Sequence, residues 1–381
     1  MKICFDARVI IDEETGLGNY TYNILKNLLE IDAENEYTAL INKSLREDHP
    51  VKELQYKNLK KNYVEIRQVS PQQQLLVIAP LLKEQPDVYH YPNFDLPIFQ
   101  PYYSVFTVHD LTYLRHQSLY MNGRWLKNWY TKHIMKLGAK KAKRIITVSQ
   151  STKQDLIEIL NVPHQKIEVI YEAIDDSFLN GKVSEKDPTF QNLPFEIKAC
   201  EKYFLFLGER RPHKNIIRII EAFARFKKGK HNNFKLVIAG KSYSNYQEPE
   251  KMIKDLGLSN SVLLLGYVDE SEKKALFKNT ECFLFPSIYE GFGIPILEAM
   301  ACGTPVITSN ISSMPEIAGD AALIVNPYDI YEISTAIEII SQDTNLRNRL
   351  IKAGLDRIKD FSWKKAAEHT LKVYENIYRE R

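Results

Sequence analysis

Short runs of apolar and β-branched residues alternate with stretches in which apolar positions recur every three to four residues, along almost the whole chain. In the first half the strand-like runs are KICFDARVI, YTALIN, YVEIRQV, DVYHYP, SVFTVHD, RIITVS and KIEVIYEAI. Helical patterns lie between them at 19–30, 71–84, 122–143 and 149–160. Such an alternation predicts parallel sheets with helices on both faces. Residues 179–203, LNGKVSEKDPTFQNLPFEIKACEKY, break the rhythm with polar residues, two prolines and a glycine. They read as an interdomain linker.

The alternation then resumes with YFLFLGE, a helix at 215–226, FKLVIAG, a helix at 247–256, VLLLGYV and a helix at 269–280. CFLFPS, an apolar helix at 291–302, PVITSN and LIVNP follow, and the tail is helical from about 329. No short-period repeat or low-complexity tract interrupts it. The predicted fold is α/β: two Rossmann-like domains, 1–180 and 201–362, joined by a linker at 181–200. Their parallel sheets are expected to face each other across a cleft, with a ligand at the carboxyl ends of the strands.

A length of 381 residues suits two domains of ordinary size. Hydrophobic content of 44% and charged content of 26% are those of a soluble globular protein. The net charge of +3 is small, but its distribution is uneven. From Leu111 to Gln154 there is no Asp or Glu, while Arg115, Arg124, Lys127, Lys132, Lys136, Lys140, Lys141, Lys143, Arg144 and Lys153 are all basic. A block of this kind attracts anions whatever the total charge. Cys4, Cys200, Cys282 and Cys302 form no CxxC and no paired-ligand spacing, which argues against a disulfide framework or a zinc site and suits a reducing cytosol. Asp6 comes too early for a signal-peptide core, and no apolar run approaches the roughly 18 residues that cross a bilayer.

Candidate chemistry concentrates in SIYEGFGIPILEAMACGTPVITSN, 287–310. Its helix is apolar on nearly every side and is therefore expected to be buried, yet Glu298 sits within it and Glu290 just before it. Buried carboxylates need compensation. Two acceptors at different depths, roughly 10 Å apart along a helix, can grip a long polyhydroxylated ligand; ion pairs with Lys214 or an arginine are the alternative. In LGERRPHKN, Arg210, Arg211, His213 and Lys214 crowd the space between a strand and a helix, as cations around a diphosphate do; a solvated loop is the alternative. ETGLGNY places Gly16 and Gly18 between the first strand and first helix, where ligand contact and a plain tight turn stand equal. The third glycine of GxGxxG is absent, so the stretch fails as a dinucleotide fingerprint, which argues against a dehydrogenase. His109 and Asp110 in FTVHDL stand where a strand leaves the sheet, the position from which such folds present reactive groups; a hydrogen-bonded histidine at a strand end is the alternative. Ser149 and Ser151 read as helix N-caps.

The stretch EGFGIPILEAMACGTPVITS resembles the EX7E signature of retaining glycosyltransferases of family four, with Glu290 and Glu298 as its acids. GLGNY, VHDL, TVS, the KN after the phosphate strand, LLLGYV and FSWKKAAEHTLKVYE support the resemblance in the right order. It implies a GT-B fold, with the C-terminal domain holding a nucleotide-sugar and a last helix, 363–381, crossing back to the N-terminal domain. Carried over by position, Lys214 with Arg210 or Arg211 binds the donor diphosphate, and Glu298 binds the ribose hydroxyls. Glu290, with the N–H groups of Phe292 and Gly293, holds the transferred sugar. Gly16 and Gly18 approach the donor, His109 contacts its sugar, and Tyr267 lies near the base.

Glu209 stands where many members carry an arginine. ERRPHKN is closer to the PRKN variety found in mannosyltransferases of cell-surface polysaccharide assembly, which places GDP-mannose ahead of UDP-sugars as donor. Preorganised cations and helix N-termini stabilise charge growing on a departing diphosphate without metal, so no essential divalent ion and no cofactor are expected. The expected acceptor is a saccharide or a lipid-linked molecule. The basic segment 111–154, with Trp125, Trp129, Tyr130, Ile134 and Met135 among its cations, suggests peripheral attachment to an anionic membrane at the inner face of the cell; a core helix with a solvated face is the alternative. No recognition module for nucleic acid accompanies the charge. A sugar-nucleotide epimerase, a disaccharide synthase and a catalytically silent GT-B partner subunit are the rival readings.

Overall fold

The computed structural model describes residues 1–13, 15–117, 125–179, 197, 202–229 and 233–380. Except for residue 197, the predicted linker at 181–200 lies outside them. The chain forms two compact units, Met1–Glu172 with Ser362–Arg381, and Ala173–Phe361.

The first unit holds seven strands: β1 Lys2–Asp6, β2 Glu36–Asn42, β3 Leu59–Val64, β4 Val88–Tyr91, β5 Tyr103–Val108, β6 Arg144–Thr147 and β7 Ile167–Val169. All pair in parallel, in the order β3-β2-β1-β4-β5-β6-β7. The order reverses between β1 and β4, and ligand crevices of doubly wound sheets form at such points. β4 and β5 are almost wholly buried, which explains why DVYHYP and SVFTVHD read so clearly.

β3 begins four residues before the YVEIRQV run. It is an edge strand whose LKKNYV sequence is half-exposed, with two lysines that blunt the edge against further pairing. A search for apolar runs therefore misplaces it. The helical pattern at 71–84 splits into Gln73–Leu76 and Ile78–Glu84. Pro80 accounts for the break, because it has no N–H to continue the first helix and is tolerated in the first turn of the second.

The last helix, Trp363–Arg379, belongs to the first unit. Trp363 meets the edge of the Tyr20 ring at 6.0 Å, and Tyr374 shares a 2.5 Å hydrogen bond with Nδ1 of fully buried His90. Burial pushes the His90 imidazole down to about 3, so it stays neutral.

The second unit holds β8 Lys202–Leu207, β9 Phe234–Ala239, β10 Val262–Leu264, β11 Cys282–Phe285, β12 Val306–Ser309 and β13 Leu323–Val325. These are parallel, in the order β10-β9-β8-β11-β12-β13, with the reversal between β8 and β11. Phe204, Phe223, Phe226 and Phe234 form an aromatic core behind β8. At the carboxyl ends of β8 and β9 the backbones touch: a Cβ on Gly240 (φ 128°) would fall 2.1 Å from the Gly208 carbonyl oxygen. Both units therefore have the Rossmann-like parallel architecture that the alternation predicted.

Candidate active site

In the second unit the loop after β8 and the loop after β11 leave the sheet on either side of its switch point. The Ile288 N–H donates to the His213 carbonyl at 2.8 Å, tying the two loops together. Asn215 takes the left-handed conformation (φ 62°), and its buried Nδ2 donates to the carbonyls of Pro286 and Pro327 at 2.9 and 2.7 Å. Lys214 is thereby held on a fixed backbone.

Glu290 is held in the same way. The Ser312 hydroxyl accepts from the Glu290 N–H at 3.2 Å and donates to its carbonyl at 2.7 Å. The Ser313 hydroxyl reaches the carbonyls of Glu290 and Phe292 at 3.0 and 2.7 Å. The helix expected from 291 begins at Ile294, after Gly293 at φ 108°. Three residues of loop thus replace the first predicted turn, and Glu298 lies one turn inside the helix rather than two. The glycines serve the loop, where a left-handed residue is needed to enter the helix.

The acids and cations are matched one to one. Lys214 Nζ donates to both oxygens of Glu290 at 2.8 Å, with side chains 15% and 11% exposed. Lys273 Nζ donates to Glu298 Oε1 at 2.6 Å and lies 5.0 Å from the centre of the Phe178 ring. Burial raises the Glu298 carboxyl above its ordinary range, and Lys273 opposes that shift.

Arg210 is buried. Its Nη1 donates to Glu250 at 2.9 Å and its Nη2 to the Leu265 carbonyl. The Arg211 guanidinium stacks 3.6 Å over Tyr243, and its Nε donates to Glu209 at 3.1 Å. Arg210, Arg211 and Lys214 are thus each paired with one of the protein's own carboxylates. Phe292 is buried edge-on to Phe361 at 5.8 Å, and Tyr267 is 75% exposed.

Sequence reasoning passed over Lys273, Ser312 and Ser313. The serines follow β12 in NISSMPE as a hydroxyl pair at a strand end, a weak signal. Nothing in SEKKALFK marks Lys273 as a partner of Glu298.

In the first unit Gly16 and Gly18 form the first turn of helix Gly16–Ile31. The Thr15 hydroxyl caps it, accepting from the Gly18 N–H at 3.0 Å. A Cβ on Gly16 would meet nothing within 4 Å, whereas one on Gly18 would come 3.1 Å from that hydroxyl. His109 Nδ1 lies 2.9 Å from Glu172 and Nε2 3.4 Å from the Pro92 carbonyl. The Tyr20 ring packs edge-on against His109 at 4.6 Å. Ser149 caps helix Gln150–Leu160, while Ser151 lies inside it.

Helix Trp125–Lys141 buries Ile134 and Met135, which are core residues rather than surface ones. Its exposed positions include Trp129, Lys132, Lys136, Leu137 and Lys140. Arg115 is committed to Asp155 and Glu158, and Arg144 to Glu380; Arg124 lies outside the described residues. Among the described residues no helix is long and apolar enough to cross a membrane, and no three His, Cys, Asp or Glu side chains cluster as metal ligands.

Solved structures of similar architecture include sucrose-phosphate synthase from Thermosynechococcus elongatus, with TM-score 0.79 and 19% identity over 100% of both chains. Anabaena HepE in complex with UDP and glucose gives TM-score 0.76 and 17% identity over 99% of this chain and 100% of that one. Two Rossmann-like units with this topology and these neighbours define the GT-B fold. Residues 15–178 match the model of Glycosyltransferase Family 4, and residues 191–357 that of Glycosyl transferases group 1. Together they take in most of the chain, and the protein belongs to glycosyltransferase family 4.

O-antigen chain mannosyltransferase B of Escherichia coli is 28% identical over 98% of this chain and 99% of its own length. O-antigen chain mannosyltransferase RfbU of Salmonella typhimurium is 33% identical over 62% of this chain and 60% of its own. The match to the serotype-specific mannosyltransferase WbdA of Escherichia coli, 28% identical, takes in 70% of this chain and 32% of that protein.

Proposed function

We propose that the protein transfers mannose, with retention of configuration, from GDP-mannose to a saccharide or lipid-linked acceptor during assembly of a cell-surface polysaccharide. The observation that carries the donor site is the Lys214–Glu290 pair, fixed on two clamped loops at the switch point of the second sheet. The choice of mannose rests on the relatives, which are named mannosyltransferases.

In this reading Lys214 binds the donor diphosphate together with Arg211, since Arg210 is enclosed by Glu250 and the Leu265 carbonyl. Glu298 takes the ribose hydroxyls through the oxygen that Lys273 leaves open, and exposed Tyr267 is available to the base. Glu290, with the N–H groups of Phe292 and Gly293, holds the sugar. In the first unit, His109, Gly16 and Gly18 are the candidate ligand contacts.

The bond between the anomeric carbon and the phosphate oxygen breaks as the acceptor oxygen bonds to the same face of that carbon. The acceptor proton passes to the departing diphosphate. Lysine and arginine stabilise the charge that grows on the diphosphate, so the reaction needs no divalent ion. The exposed face of helix Trp125–Lys141, with Trp129 and Leu137 between lysines, is the surface assigned to an anionic membrane.

The test is incubation of the purified chain with GDP-, UDP- and ADP-sugars and a pyrophosphate-linked saccharide acceptor in excess EDTA, with the product anomer read by NMR. An α-mannoside from GDP-mannose is expected. A β-product, a strict metal requirement, or transfer from UDP-sugars alone would each overturn the corresponding part of the proposal.

A further inference from the structure

We propose that the Lys214–Glu290 pair is a lock that the donor diphosphate opens, and that the released Glu290 makes the site favour an intact nucleotide-sugar over the free nucleoside diphosphate. This rests on the reading of Lys214 as the diphosphate ligand.

Both oxygens of Glu290 are engaged by one ammonium at 2.8 Å, in a pair whose side chains are nearly nine-tenths covered. Lys214 Nζ has no other polar partner among the described residues, and the Phe285 ring lies 5.2 Å from it. A diphosphate arriving at this ammonium competes with Glu290 for a single positive charge, and like charges around one cation repel.

The backbone beneath each partner is held in place. Ser312 binds the N–H and carbonyl of Glu290 and Ser313 binds the same carbonyl, while the lysine loop is held through Asn215 and His213. Opening therefore leaves Glu290 covered and without a counter-charge, a costly state unless new donors reach it. The hydroxyls of a bound sugar are such donors. A nucleoside diphosphate brings none to this position, since its ribose hydroxyls are assigned to Glu298, so the pair recloses and displaces it. Glu290 thus serves two purposes: it holds the sugar before transfer, and it weakens the hold on the spent nucleotide afterwards.

Calorimetric titration of the full chain with GDP and GDP-mannose tests this in wild type, Glu290→Gln and Lys214→Ala. Removing the acid frees Lys214 permanently, so Glu290→Gln is expected to bind GDP about tenfold more tightly than wild type. The preference for GDP-mannose over GDP should fall by a similar factor. Glu290→Ala supplies the same comparison if the glutamine variant does not fold.

GDP affinity that is unchanged or weaker in the Glu290 variants, with Lys214→Ala still losing GDP, overturns the lock and leaves the donor site standing. Undiminished GDP binding by Lys214→Ala overturns the donor site itself, and the lock with it.

Discussion

Replacing Lys273 by methionine removes the counter-charge of a carboxylate buried in the helix that follows β11. Removing one partner of a buried ion pair costs about 3–5 kcal/mol when the other is left charged. Here the side chains of Lys273 and Glu298 are 23% and 10% exposed, so the pair is not fully sealed. The expected loss at pH 8 is about 2–3 kcal/mol. At roughly 2–4 °C per kcal/mol for a domain of this size, melting should fall by about 5–10 °C.

The loss should depend on pH in one direction. Burial holds the Glu298 carboxyl above its ordinary range, with Glu270 and Asp175 adding to the rise and Lys273 opposing it. The folded state therefore binds that proton more tightly than the unfolded chain does. The stability it contributes is present below the unfolded pKa and lost as pH rises through the folded one. Without Lys273 the folded value climbs further, so the deficit against wild type grows with pH and closes near pH 4. Urea denaturation of both proteins from pH 4 to 8 measures it, and in a Glu298→Gln background the effect of Lys273→Met should lose this pH dependence. A deficit that is constant with pH, or that grows as pH falls, would refute the reasoning.

Arg210→Ala should destabilise the second unit by about 2 kcal/mol, because Glu250 loses its partner. Arg211→Ala should leave stability within about 1 kcal/mol, since its cation–π contact is partly exposed, while weakening GDP-mannose binding; thermal melts with and without nucleotide separate the two. Tyr374→Phe should cost about 1–3 kcal/mol in urea denaturation, since it leaves a buried His90 nitrogen without its partner. The protein should co-sediment with anionic liposomes at low salt and less at moderate salt, and Trp129→Ala with Lys132→Ala and Lys136→Ala should reduce this; no binding at either salt would discard the membrane surface.

The strands were legible where burial is complete. β8 and β11 are near-continuous apolar runs, and β4, β5 and β12 mix apolar and aromatic residues with a few polar ones that are buried too, which marks their positions in the sequence. β3 was misplaced because an edge strand obeys a different rule: its polar LKKNYV is held by backbone pairing to β2, not by side-chain burial. The start of the helix after Glu290 was misread for a related reason. Apolar periodicity runs through Phe292 and Gly293, but the left-handed turn at Gly293 carries no hydrophobic signal.

In the candidate site the sequence marked the charged residues and left their pairing open. That Lys214 faces Glu290 depends on two loops brought together by Asn215 and by the His213 carbonyl. That Arg210 turns inward from its loop depends on Glu250, forty residues away on helix Glu248–Asp255. Spacing along the chain encodes neither contact.

The central claim is that Lys214 and Glu290 handle an activated sugar, and the most direct measurement is acceptor-dependent GDP release from GDP-mannose. Rates are compared for wild type, Lys214→Ala and Glu290→Ala, with circular dichroism and melting curves establishing that each variant is folded. The account predicts that both variants stay folded and lose about a hundredfold or more in turnover, as removal of groups that stabilise a developing charge does. Turnover at the wild-type rate in either folded variant would contradict it.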